Sequence, residues 1–98
     1  MKRMVIGKTG LEVNRFGLGG IPIQRVSESQ AVETVLHAIE RGVDFIDTSR
    51  AYTTSERRIS LALKQTDKKV ILASKSLNKT AEGARADLET SLRELQRN

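Results

Sequence analysis

The sequence contains no cysteine and no tryptophan, and it has one proline, one histidine and one tyrosine among its 98 residues. Without cysteine there is no disulfide and no thiolate metal site, and the single histidine, His37, excludes a histidine-rich metal centre. No segment approaches the ~20 apolar residues of a membrane-spanning helix, and glycine follows the first residues too early for a signal peptide. We therefore predict no metal site, no membrane partner and a cytoplasmic location.

The composition is that of an ordinary globular protein, with 38% hydrophobic and 30% charged residues, which disfavours a disordered chain. The 17 Lys and Arg residues outnumber the 12 Asp and Glu residues and give a formal charge of +5. These basic residues are scattered along the chain, and two Phe and one Tyr offer little aromatic surface for stacking on bases. We predict no nucleic-acid partner. The length suits one small domain.

The chain begins with a predicted β-hairpin over residues 2–13. Two short segments with apolar residues are joined by residues 7–10, which include two glycines, and this is the sequence form of a hairpin. Residues 15–20 then read as a short strand that runs into a glycine turn. Because Pro22 follows, we expect no further regular element before Ser27.

Strands and helices alternate along the remainder of the chain. Predicted strands begin near Arg15, Val43 and Val70, about 28 and 27 residues apart, and each precedes a segment with helical periodicity. This alternation predicts a parallel sheet of βαβ units, completed either as a doubly wound open sheet or as a (β/α)8 barrel. The open dinucleotide-binding sheet is disfavoured because Pro22 lies where the helix of a Gly-x-Gly-x-x-Gly motif begins.

The three predicted helices have recognisable ends and apolar stripes. The predicted N-terminal capping residues are Ser27 with Gln30, Thr53 with Glu56, and Thr80. Gly42 is the predicted stop of the first helix. The predicted buried stripes are Val32, Val35, Leu36 and Ile39 in the first helix, Ile59, Ala62 and Leu63 in the second, and Ala81, Ala84, Leu88, Leu92 and Leu95 in the third.

Three βα units of eight do not close a barrel, so a strand edge and an apolar helix face stay uncovered. We therefore predict an α/β fold with an N-terminal β-hairpin followed by the first three βα units of a truncated (β/α)8 TIM barrel. Residues 1–98 are then the N-terminal part of a single barrel domain, able to self-associate through open sheet edges. The alternative is a compact three-stranded domain in its own right.

Three side chains with groups that can take part in catalysis lie at or just beyond the ends of predicted strands. In parallel α/β folds, active sites form at these strand ends. Because neighbouring strands lie about 4.8 Å apart, the Asp47 carboxylate and the Lys75 ammonium can meet. An ammonium also favours ionisation of a nearby phenol, here that of Tyr52. Together the trio can protonate a carbonyl oxygen. Alternatively, Asp47 caps a turn, Lys75 is solvated and Tyr52 packs its ring.

Several segments of the chain together resemble one protein family. They are residues 8–13, residues 15–20, residues 42–52 with the following Ser55-Glu56, residues 71–75 and residues 87–95. On these segments the sequence resembles the aldo-keto reductase family over essentially its whole length. The most specific feature is the Asp-x-x-x-x-Tyr spacing from Asp47 to Tyr52 within an Asp-Phe-Ile-Asp-Thr context.

The resemblance implies a (β/α)8 barrel that reduces small-molecule aldehydes and ketones with NADPH through an Asp, Tyr, Lys and His tetrad. It implies that Tyr52 donates a proton to the carbonyl oxygen, that Lys75 eases the ionisation of Tyr52, and that Asp47 is the partner of Lys75. It also implies that Gly20, Ile21 and Asp47 contact the nicotinamide ribose. Catalytic and cofactor residues are thus expected in the same strand-end region.

The family's histidine stands at the end of the next barrel strand, beyond Asn98, and His37 lies on the wrong element to replace it. The resemblance therefore implies an NADPH-dependent reductase as the longer protein, whereas the 98 residues alone are expected to be inactive. Two alternatives stay open: a regulatory member of the same fold that uses cofactor binding for signalling, and a structural fragment that binds no cofactor.

Overall fold

The computed structural model describes residues 2–98 and contains five short strands and three α-helices among them. The strands are β1 (Arg3–Val5), β2 (Glu12–Asn14), β3 (Leu18–Gly19), β4 (Phe45–Asp47) and β5 (Ile71–Ala73). The helices are α1 (Glu28–Glu40), α2 (Ser55–Leu63) and α3 (Ala81–Leu95). Strands β3, β4 and β5 pair in parallel in that order, and a helix follows each of them. The predicted alternation of strands and helices is confirmed.

The predicted hairpin is confirmed as the antiparallel pair β1 and β2, in which Met4 stands opposite Val13. Its connection contains Gly7 at φ 51° and Gly10 at φ 76°, left-handed conformations that glycine adopts without steric cost. The hairpin is attached to the sheet at Asp44, immediately before β4. The Arg3 guanidinium lies 2.7 Å from one carboxylate oxygen of Asp44.

Both ends of α1 and the start of α3 follow the sequence prediction. The Ser27 hydroxyl accepts a hydrogen bond from the Gln30 backbone N–H, and the Gln30 side chain accepts one from the Ser27 N–H. Gly42 follows α1 at φ 105°. At α3, the Thr80 hydroxyl accepts a hydrogen bond from the Gly83 N–H at 3.0 Å. These caps satisfy backbone donors that a helix cannot satisfy within itself.

The predicted capping box at α2 is wrong. The N-cap residue is Thr54, whose side chain makes no capping bond within the part of the chain that the structure describes. The preceding Thr53 has φ 38° and donates its hydroxyl hydrogen bond to the Gln24 side chain at 2.8 Å. The Thr53 hydroxyl is therefore committed elsewhere, and the Glu56 carboxylate binds other side chains.

The segment before Ser27 is also more regular than predicted, because Pro22–Gln24 form a short 3₁₀ turn. The Arg25 N–H closes it by donating to the Pro22 carbonyl at 3.2 Å. Proline favours such a position, since its fixed φ suits the first residue of a helical turn. Pro22, which led us to expect no regular element before Ser27, is thus the residue that starts this turn.

The core lies between the helices and the parallel sheet. Its buried apolar side chains are Ile23, Ala31, Val35, Ile39, Ile46, Ile59, Ala62, Val70 and Leu95. The predicted stripes of α1 and α2 face this core, with Val32, Leu36 and Leu63 at its partly buried margin. In the α3 stripe, Leu95 is buried while Leu88 is 58% exposed. None of the helices within residues 2–98 has the length and apolar character needed to cross a bilayer.

Candidate active site

The carboxyl ends of the three parallel strands meet at one edge of the sheet. Asp47 is the last residue of β4, in register with Gly19 on one side and Ala73 on the other. Backbone pairing continues past the strands on both sides of β4, because the Gly20 N–H donates to the Asp47 carbonyl at 2.8 Å and the Thr48 N–H donates to the Ala73 carbonyl at 2.8 Å. The polar segments that follow β4 and β5 are therefore held side by side.

The structure brings the three predicted catalytic side chains together at this edge. The Lys75 ammonium lies 3.1 Å from Asp47 Oδ2 and donates a second hydrogen bond to the Thr48 carbonyl at 2.6 Å. The same ammonium lies 5.0 Å from the centroid of the Tyr52 ring, within the range of a cation–π contact. A single cation thus links the carboxylate and the phenol.

The surroundings of Lys75 keep it charged. Partial burial disfavours the charged ammonium, but the hydrogen bond and charge of Asp47, with a smaller contribution from Tyr52, outweigh it and raise the pKa of Lys75. The side chains of Lys75 and Asp47 are 45% and 46% exposed. The ion pair is consequently accessible from solvent, as a site that receives a ligand must be.

The Tyr52 backbone is fixed by a tight turn between β4 and α2. The Tyr52 N–H donates to the Ser49 carbonyl at 3.1 Å, and the Tyr52 carbonyl accepts from the Ser55 N–H at 2.8 Å. Thr53, directly after the tyrosine, has φ 38°, which is rare for a β-branched residue. This turn presents the half-buried Tyr52 side chain beside Lys75.

A buried carboxylate below the site is the feature that the sequence analysis missed. Glu56 is 2% exposed, and its two oxygens bind Arg50 Nη1 at 2.5 Å and the Ser74 hydroxyl at 2.8 Å. The sequence signal is the polar character of the segments after both strands, together with a glutamate in the first turn of the following helix. The sequence pattern predicts that this glutamate is a capping residue instead.

The predicted cofactor residues lie at the same edge. A Cβ atom on Gly20 would stand 2.4 Å from Ser55 Oγ and 2.9 Å from Thr48 Oγ1, so this position has room only for glycine. The Gly20 N–H is already bonded to the Asp47 carbonyl, so this donor is not available to a ligand. The next residue, Ile21, is 42% exposed.

His37 is not part of this site. It lies exposed in the last turn of α1, and α1 leads into the amino end of β4, away from the edge that carries Asp47. Residues 2–98 contain no group of three or more His, Cys, Asp or Glu side chains arranged to hold a metal ion.

Fold and site define an α/β protein with a polar site at the carboxyl edge of a parallel sheet, where a lysine joins a carboxylate to a tyrosine. A sequence model of the Aldo/keto reductase family matches residues 14–98. The chain belongs to that family.

Two curated relatives and two solved structures illustrate the similarity. L-galactose dehydrogenase of Arabidopsis thaliana is 40% identical over 65 residues, which are 60% of this chain and 20% of that protein. The aldo-keto reductase YhdN of Bacillus subtilis is 35% identical over 85 residues, which are 78% of this chain and 26% of that protein. The chain therefore spans about a quarter or less of these relatives.

Among solved structures, a thermostable aldo-keto reductase in complex with the inhibitor epalrestat superimposes with a TM-score of 0.89 at 26% identity. The match covers 99% of this chain and 39% of that one. The holo form of an aldo-keto reductase from Bacillus halodurans gives a TM-score of 0.82 at 25% identity, with 99% and 37% of the two chains covered. The α/β architecture of this chain is thus that of aldo-keto reductase structures.

Proposed function

We propose that the protein carrying this chain reduces small-molecule aldehydes and ketones to alcohols with NADPH, with Tyr52 as the proton donor. The observation that supports this most is the Lys75 ammonium, which binds the Asp47 carboxylate at 3.1 Å and lies 5.0 Å from the Tyr52 ring. Membership of the aldo/keto reductase family supports the same reaction class.

Each of the three side chains has a separate part in this chemistry. When bound, the nicotinamide cofactor supplies a hydride to the carbonyl carbon. Tyr52 gives its hydroxyl proton to the carbonyl oxygen as negative charge develops there. The Lys75 ammonium stabilises the phenolate that remains, and Asp47 keeps that ammonium charged and in place. The half-buried phenolate then regains a proton from solvent.

The cofactor is proposed to lie against the strand edge that Gly20, Ile21 and Asp47 form. The Asp47 carboxylate is half-exposed and can accept a hydrogen bond from a ribose hydroxyl. Gly20 allows the backbone to lie close to Thr48 and Ser55, and no side chain projects from this position of the edge. The exposed Ile21 side chain supplies apolar surface beside it.

We also propose that residues 1–98 are the N-terminal part of a single (β/α)8 barrel domain. Within residues 2–98, β5 has β4 as its one strand neighbour, and a groove of about 680 Å³ lies between the β5 end and α3. This groove has the apolar lining that a further βα unit would cover, including Leu72, Leu88 and Leu92. We expect the 98-residue chain alone to self-associate through this edge and to reduce no aldehyde, which light scattering and an NADPH assay can check.

The experiment that tests the reaction is aldehyde-dependent oxidation of NADPH by the longer protein that carries this chain, as the wild type and as Tyr52→Phe; the variants below are made in the same longer protein. Losing the proton donor while keeping the ring is expected to lower kcat roughly 10²–10⁴-fold and to leave the Kd for NADPH unchanged. The matched control is His37→Gln, on the exposed surface of α1, which is expected to keep full activity. Undiminished turnover by Tyr52→Phe would contradict the assignment, and cofactor binding without turnover by the wild type would favour a regulatory protein.

A further inference from the structure

The buried Glu56 carboxylate joins three segments of the chain. Glu56 itself is in the first turn of α2, Arg50 belongs to the segment between β4 and α2, and Ser74 follows β5. Arg50 Nη1 binds one carboxylate oxygen at 2.5 Å, and the Ser74 hydroxyl donates to the other at 2.8 Å. Both oxygens therefore have partners, although the residue is 2% exposed.

Two of these segments carry the proposed catalytic pair. Arg50 precedes Tyr52 by two positions, and Ser74 immediately precedes Lys75. The segments are also joined directly, because the Arg50 N–H donates to the Lys75 carbonyl at 3.0 Å and the Ser49 hydroxyl donates to the same carbonyl at 3.3 Å. The Glu56 carboxylate adds a side-chain link between the same two segments, through Arg50 on one and Ser74 on the other.

Fold stability alone is a weak explanation for an ion pair in this position. Taking a carboxylate out of water is expensive, and replacing a buried ion pair by apolar side chains of similar volume is often neutral or stabilising. The N-terminal end of α2 favours the Glu56 charge modestly. An ion pair does, however, fix direction and distance in a way that apolar packing does not, because its hydrogen bonds need defined geometry.

We propose that Glu56 is a positioning residue that sets the distance between the Tyr52 ring and the Lys75 ammonium through Arg50 and Ser74. The inference rests on the proposed function of that pair and extends it to a residue that does not touch substrate. If Glu56 loses its charge, its ion pair with Arg50 becomes a weaker hydrogen bond, and the tyrosine turn can move relative to Lys75. A displacement of about 1 Å in an active site can cost about 10²-fold in rate.

The kinetic test compares the wild-type protein with Glu56→Gln. We expect kcat for aldehyde reduction to fall about 10- to 100-fold while the KM for NADPH changes little, because the proposed cofactor residues directly after β3 and at the end of β4 keep their places. The matched control is Glu28→Gln, which breaks an ion pair between Glu28 and Arg57 of α2 and is expected to keep kcat. A Glu56→Gln protein with wild-type kcat would overturn the proposal.

A milder variant keeps the test valid if Glu56→Gln does not fold. Ser74→Ala removes one partner of Glu56 and leaves the Arg50 pair intact, and we expect a smaller loss of kcat. Where Glu56→Gln folds as well, the double variant is expected to lose less than the product of the two single losses, because both residues act through one contact. Strictly multiplicative losses, or an unchanged kcat in Ser74→Ala, would contradict positioning through this contact.

A second readout does not depend on activity. In the folded wild-type protein, nuclear Overhauser contacts are expected between the Tyr52 ring protons and the Lys75 side-chain methylenes, with Tyr52→Phe assigning the ring signals. Glu56→Gln is expected to weaken these contacts, whereas Glu28→Gln keeps them. Their persistence in Glu56→Gln would overturn positioning even in an active enzyme. If Glu56→Gln loses these contacts and the wild-type protein reduces no aldehyde, positioning by Glu56 is supported and the proposed reaction is rejected.

Discussion

Strand β4 has an aspartate network at each end, and the two networks differ in how completely they are enclosed. At the amino end, Asp44 binds Arg3 at 2.7 Å and accepts the Asn14 backbone N–H at 2.7 Å. At the carboxyl end, Asp47 binds Lys75 at 3.1 Å. The Asp44 side chain is 22% exposed, whereas that of Asp47 is 46% exposed.

This difference separates a structural contact from a chemical one. The partners of Asp44 lie on the hairpin strands β1 and β2, so its two hydrogen bonds attach the hairpin to the sheet. The Asp47 pair leaves an accessible ammonium next to a phenol, and a ligand can reach both groups. Two aspartates three positions apart, one directly before β4 and one at its end, thus differ in role: the first attaches the hairpin to the sheet, and the second belongs to the proposed reaction site.

The largest effect on activity is expected at the carboxyl end of β4, from Lys75→Met. This change removes the cation that stabilises the Tyr52 phenolate but keeps the length of the side chain, so kcat should fall about 10²–10³-fold. Lys64→Met, at the solvent-exposed C-terminal end of α2, is the control and should retain activity. The kcat of both variants is measured by steady-state aldehyde reduction. Equal kcat values for Lys75→Met and Lys64→Met would contradict a catalytic role for the carboxyl end of β4.

A second prediction concerns the close packing around Gly20, next to the carboxyl end of β4. In Gly20→Ala, the added methyl group would meet Ser55 Oγ at 2.4 Å, so we expect a loss of about 1–3 kcal/mol in unfolding free energy and weaker NADPH binding. The control is Gly19→Ala, whose Cβ has open space among residues 2–98. Urea denaturation and cofactor titration compare the two, and equal stability would show that Gly20 is not tightly enclosed.

The smallest effect is expected from Asp44→Asn, which should leave kcat intact and lower the unfolding free energy by about 1 kcal/mol at neutral pH. Burial raises the pKa of Asp44, but the Asn14 N–H and the Arg3 guanidinium lower it by more, so the net direction is down. The stability from Asp44 is therefore present above its ordinary pKa of about 3.9 and is lost as pH falls further. Thermal unfolding of both proteins measures this difference, which should shrink in acid. A constant difference would contradict the ionic character of the contact.

Sequence periodicity and capping patterns were sufficient to predict the alternation of strands and helices, because these signals depend on local spacing. They also placed Asp47, Tyr52 and Lys75 at strand ends, and register then brings such residues together. The role of Glu56 was not predictable in this way. A local pattern pairs Glu56 with Thr53, whereas its actual partner Ser74 lies eighteen positions away and becomes a neighbour only when β4 and β5 pair.

The apolar stripe of α3 shows a second limit of the sequence signal. Helical spacing predicts that Leu88 and Leu95 are equivalent, yet Leu95 is 7% and Leu88 58% exposed. Periodicity identifies the face of a helix that can be buried, but burial itself depends on what packs there. Within the described residues, α2 packs against α3, and Leu88 still remains exposed.

The most direct test of a carbonyl-reduction site at the carboxyl end of β4 follows a labelled hydride from the cofactor to the product. The protein is incubated with benzaldehyde and NADPH that carries deuterium at the transferred position, and the alcohol is analysed by mass spectrometry. We predict one deuterium on the alcohol carbon with the wild type and a strongly reduced yield of the same product with Tyr52→Phe. Unlabelled alcohol would contradict hydride transfer from NADPH, and equal yields of labelled alcohol from both proteins would contradict the assignment of Tyr52.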